Sequence, residues 1–128
     1  MIDQMVSIYK WEYKYAHNVA SEYHRFLTLR NHNNKLSPSD TIDKFWHQHI
    51  LNTDHYLGYC RIYFNNIIHH NPANSFDQKS KSERLTNTIT AYKTKYKSFI
   101  NDRVWLGLHE DISHHDEINM IEPVEINK

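Results

Sequence analysis

Between Met5 and Leu27 the apolar residues return every three or four positions: Met5, Ile8, Tyr9, Ala16, Val19, Tyr23, Phe26 and Leu27. At about 100° per residue they fall on one stripe, which predicts an amphipathic helix over residues 3–30. Glu12 lies within that stripe; either it sits at the edge and reaches solvent, or it meets a histidine or a metal, because an unpaired buried carboxylate is costly. The run NHNNK (31–35) is a polar loop. Ser37-Pro38-Ser39-Asp40 then reads as a helix start, with Ser37 as N-cap, Pro38 in the first position and Asp40 near the positive end of the dipole. That helix is expected over 38–51. Asn52-Thr53-Asp54 is a second cap-like cluster, so a third helix is expected over 53–69, with one continuous bent helix as the alternative. Asn71-Pro72 ends it, since a residue before proline avoids the helical region. After a polar connection at 73–80, Leu85, Ile89, Tyr92, Tyr96 and Phe99 mark a fourth helix over 81–100, and Val104, Trp105, Leu106 and Leu108 form a last apolar patch that packs back. The pattern predicts an all-α fold: a compact bundle of about four helices with a short C-terminal extension and almost no strand.

Composition sharpens this. Only two Gly and three Pro are present, too few for the turns of an all-β fold, while nine Tyr, five Phe and three Trp can fill a core of this size. A chain of 128 residues has room for one such core. The zero net charge hides an asymmetry. Residues 1–108 carry 14 basic and 9 acidic groups, whereas 109–128 hold six acids and a single lysine. The expected organisation is a helical domain at 1–108 and an acidic tail at 109–128 that adds little stability unless Met120 and Ile121 dock. The basic residues are interleaved with acids, which argues against nucleic-acid binding. One cysteine, no secretory pattern at the N-terminus and no apolar run of spanning length point to a soluble cytoplasmic protein.

Chemistry concentrates in one segment. Five of the eleven histidines, His47, His49, His55, His69 and His70, fall within residues 47–70. On the second predicted helix Ile42, Phe45, Trp46 and His49 share the inward face, so Trp46 is expected to be buried. Asp43 and His47, four residues apart, share an adjacent face. Both can ligate one metal, or Asp43 can orient the His47 imidazole. His69 and His70 end the third predicted helix, where a histidine also serves as a cap in the field of the dipole. His55 is expected on the surface, and Cys60 among apolar neighbours reads as packing rather than as a nucleophile. No HExxH, paired CxxC, EF-hand loop or helical Glu-x-x-His pair is present. A cluster of Asp43, His47 and one of His69 or His70 suits Zn or non-haem Fe by ligand type.

The segments SEYHRFLTL (21–29), Leu36-Ser37-Pro38, IDKFWHQHILNTDHY (42–56), Cys60, Phe64 and HHNP (69–72) resemble the glycine-rich domain-containing protein-like family. Asn52 departs from the acid frequent there, and the glycine-bearing segment and glycine-rich tail are missing. The resemblance implies a helical domain whose Asp43, His47, His49 and His69 form a shared centre supported by Trp46; it implies no reaction. The leading expectation is a metal-binding helical protein, extending to a small metal-dependent enzyme, with ligands among Asp43, His47, His49, His69 and His70 and support from Trp46, Tyr56, Cys60 and Glu12. The alternative is a non-catalytic interaction module with structural histidines, engaging an unidentified protein or small molecule.

Overall fold

The computed structural model describes residues 1–70 and 77–107. Six helices, and no strand, occur among them: α1 (Ile2–Tyr9), α2 (Tyr13–His32), α3 (Asp40–Leu51), α4 (Thr53–Phe64), α5 (Gln78–Tyr96) and α6 (Asp102–Trp105). The all-α expectation holds. The central member is α2, which packs against α1, α3, α5 and α6, while α4 lies on α3.

The predicted first helix is two helices. Lys10 adopts the left-handed conformation (φ 59°) and its N–H caps the Val6 carbonyl, closing α1. The break turns Trp11 inward, where it stacks on Tyr9 at 5.4 Å and meets Tyr15 edge-on at 5.3 Å. Met5, Ala16, Val19, Tyr23, Phe26 and Leu27 are buried as the stripe requires, but Ile8 is half exposed. Glu12 becomes the exposed residue preceding α2, so its carboxylate is not an inward group of a continuous stripe.

The start of α3 also moves. Ser39, not Ser37, is the N-cap: its Oγ accepts from the Ile42 N–H at 3.2 Å and donates to the Val104 carbonyl at 2.9 Å. One hydroxyl thus starts α3 and fastens α6 to it. Ser37 instead docks on α5, its N–H donating to Thr88 Oγ1 at 3.0 Å and its carbonyl accepting from the same hydroxyl at 2.7 Å. Ser39→Ala is expected to cost about 1–2 kcal/mol by urea unfolding, since a buried cap and a buried carbonyl both lose their partner; an unchanged midpoint would show that water replaces both.

The helix expected over 53–69 stops at Phe64, because Asn65 takes the left-handed conformation (φ 52°) and caps the Arg61 carbonyl. Residues 65–70 then run without helical structure. In place of a helix over 81–100, α5 begins after Asp77, whose carboxylate accepts from the Ser80 N–H at 2.8 Å, and stops at Tyr96 where Lys97 turns left-handed. Phe99, expected on the inward stripe, is 93% exposed; Thr88 and Tyr92 are the buried contacts of α5. Val104 and Trp105 enter the core as expected, with Trp105 Nε1 donating to the buried Glu22 carboxylate at 2.9 Å, but Leu106 is half exposed. Leu108 and the acidic tail at 109–128, with Met120 and Ile121, lie outside the described residues.

Candidate metal centre

Helix α3 carries two neighbouring faces with different chemistry. Its apolar face buries Ile42, Phe45, Trp46 and His49. Asp43 and His47 lie one turn apart on the flank beside Trp46, half-buried and exposed respectively, with His47 Nε2 3.8 Å from Asp43 Oδ2.

The third member arrives from the run after α4. After the helix stops at Asn65, the run passes the end of α2, where Asn66 Nδ2 donates to Asn31 Oδ1 at 3.0 Å, before it reaches α3. Ile68 is buried as an anchor. Two side chains hold the backbone of the run: Tyr56 Oη donates to the Ile68 carbonyl at 2.5 Å, and Arg30 Nη2 donates to the His69 carbonyl at 3.1 Å. His70 then lies flat on Trp46, with ring centroids 4.0 Å apart and planes 18° apart. Its Nε2 reaches Asp43 Oδ1 at 2.6 Å, and its ring lies 4.8 Å from that of His47. One donor atom from each of Asp43, His47 and His70 therefore lies within 4.8 Å of the others.

Such a group offers one carboxylate oxygen and two imidazole nitrogens. Metal bonds of about 2.0–2.2 Å at right angles would separate neighbouring donors by roughly 3 Å. The contact of Asp43 with His70 is therefore the hydrogen-bonded form, in which a proton stands where a cation would displace it. The 57% exposure of the His47 side chain leaves the group open to solvent, whereas His70, at 10%, is held from behind by Trp46.

The remaining candidates lie elsewhere. His69 is exposed and contributes its backbone carbonyl, not its ring, to the arrangement around Arg30. His49 is buried on the other side of Trp46: its Nδ1 meets Tyr23 Oη at 2.6 Å and its Nε2 meets His55 Nδ1 at 2.7 Å. Burial, with His55 and the N-terminal amine nearby, lowers the His49 pKa to about 4. His55 is exposed, as expected, but it is also the partner through which buried His49 reaches the surface. Burial likewise pushes the Tyr23 and Tyr56 phenols above their ordinary range and Tyr59 up to about 12. Cys60 is fully buried, in keeping with a packing role. Tyr56 links the two parts of the site, accepting from Trp46 Nε1 at 2.9 Å while donating to Ile68. Arg30, Tyr23 and the His49–His55 contact were not singled out in the sequence. A six-residue spacing across a helix junction carries no periodic signal, and Arg30 reads as an ordinary basic residue in a last turn.

Among the described residues no helix is long and apolar enough to cross a membrane. No curated protein and no solved structure matches the chain. A family model does, and it corrects the resemblance drawn from the segments within residues 21–72: the matching family is not the glycine-rich domain-containing one. Membership assigns no reaction, so the reading of the Asp–His group rests on its chemistry. With residues 4–108 matched, the chain belongs to the UCP032817-like family.

Proposed function

We propose that the protein binds one divalent transition-metal ion through Asp43, His47 and His70. The observation that carries the reading is the convergence of three potential ligand atoms within 4.8 Å, from residues 27 positions apart in sequence, on the solvent side of a buried tryptophan. Two histidines and one carboxylate suit a zinc centre with three protein ligands and also the facial arrangement of non-haem iron. The half-open position beside His47 would leave room for solvent or substrate, and a bound ion would supply a Lewis acid there. His49 and His69 are not ligands in this proposal. Trp46 backs His70 and fixes its ring plane.

Elemental analysis of protein purified without a histidine tag tests the reading. About one equivalent of Zn or Fe is expected. His47→Ala should abolish that metal while leaving the unfolding midpoint of the metal-free protein nearly unchanged, because the residue is exposed and surface substitutions away from special features stay within about 0.5 kcal/mol. His49→Ala should do the reverse, destabilising the fold and sparing the metal. The 2.6 Å hydrogen bond between Asp43 and His70 favours a second reading, a structural Asp–His pair on an interaction module. Wild-type protein free of metal even after incubation with Zn(II) and Fe(II) would favour it.

A further inference from the structure

The position of His70 raises a physical question. It lies six residues beyond the end of α4 on a run with no helical hydrogen bonds, yet a metal site requires its ligands held to within about 0.5 Å. Besides the buried Ile68 side chain and the Trp46 surface under the His70 ring, the constraint comes from groups that grip the run's backbone. Two side chains do so on successive residues. Tyr56 Oη spends its one hydrogen on the Ile68 carbonyl and uses a lone pair to accept from Trp46 Nε1. It therefore ties the run to the same turn of α3 that bears Asp43 and His47. Arg30, projecting from α2, donates to the His69 carbonyl, and its guanidinium carbon lies 5.9 Å from the centre of the Trp46 ring.

We infer that Tyr56, with Arg30 as the second tether, is a positioning residue that sets the metal affinity of the Asp43–His47–His70 group by clamping the backbone of residues 68 and 69. The inference rests on the metal reading above and adds to it the source of the site's rigidity. Neither side chain touches the ion; both act through His70. The Tyr56 hydroxyl is suited to the task because a phenol is protonated at neutral pH, and burial pushes its pKa higher still. Removing the hydroxyl frees Ile68 and with it the placement of the imidazole two residues on. Loss of groups that orient ligands costs metal affinity about 10- to 100-fold.

Co(II) is a suitable probe, because its visible absorption reports the number and kind of its ligands. Titration of the full-length, untagged protein with Co(II) alone is expected to give one site. Tyr56→Phe should bind about 10- to 100-fold more weakly, with an altered visible spectrum as the His70 nitrogen drops out. Tyr23→Phe is the control: it also deletes a buried phenol hydroxyl bonded to a histidine, but one bonded to His49 rather than to the run before His70. It should lose stability and keep both the affinity and the spectrum of wild type. Arg30→Met should weaken Co(II) binding in the same direction as Tyr56→Phe, and it serves as the test if Tyr56→Phe does not fold. Tyr56→Phe with wild-type affinity and spectrum, or an equal loss in Tyr23→Phe, would overturn the clamp while leaving the metal reading intact. A folded wild type that takes up no Co(II) would overturn both.

Discussion

Replacement of Trp46 by alanine is expected to cost about 3–5 kcal/mol of folding stability, the range for large-to-small aromatic changes in a packed core. Trp46 is 1% exposed and performs several packing tasks at once. Its indole meets Phe26 edge-on at 5.3 Å, lies under His70, and donates Nε1 to Tyr56. Truncation leaves a cavity between α2 and α3 and removes the donor that fixes the Tyr56 hydroxyl. Urea unfolding at neutral pH measures the effect, and a loss below about 1 kcal/mol would be incompatible with a core tryptophan. The same variant should bind metal poorly even where it is fully folded, because the His70 ring loses the surface on which it rests.

A second large effect is expected on acidification. The unfolded His49 imidazole titrates at about 6.5, the folded one at about 4. Below pH 6.5 the unfolded chain therefore binds a proton that the native protein refuses. The contribution of neutral His49 is fully present above that pH and is lost as pH falls towards 4. Its slope is about 1.4 kcal/mol per pH unit, roughly 3 kcal/mol in all. Proton uptake would also remove the lone pair with which His49 accepts in one of its two contacts, to Tyr23 or to His55, while the contact in which it donates persists. His49→Gln isolates the effect: less stable than wild type at pH 7, it should lose stability less steeply between pH 6.5 and 4. Parallel profiles for the two proteins would mean that His49 titrates normally in the fold.

These expectations show where the sequence was readable. Apolar periodicity located α2, α3 and α5 and the inward face of Trp46 and His49, because burial of one stripe per helix leaves a direct trace in residue order. The helix breaks left no such trace. Lys10, Asn65 and Lys97 all end helices in the left-handed conformation without a glycine, in a chain with only two glycines to offer. The break at Lys10 separates α1 from buried Trp11, and the stop at Asn65 precedes the non-helical run that carries His70. The pairing of Asp43 with His47 follows from helical spacing. Which of His69 and His70 joins them depends on the path of a non-periodic run, fixed by Tyr56 and Arg30 through backbone carbonyls that any residue would present. The partnership of His49 with His55 was hidden for a related reason: it crosses the junction between α3 and α4, where the helical phase is interrupted at Asn52.

The claim on which the function rests is that Asp43, His47 and His70 hold one metal ion. Crystals equilibrated with Zn(II), with diffraction measured on both sides of the zinc absorption edge, locate such an ion by its anomalous signal. A single strong peak is expected about 2.0–2.2 Å from an Asp43 carboxylate oxygen, from a His47 ring nitrogen and from His70 Nε2. Asp43 and His70 should then have moved apart from their present 2.6 Å contact to admit it. A map with no peak in the group, or one whose only zinc binds elsewhere while Asp43 and His70 stay hydrogen-bonded, would contradict it.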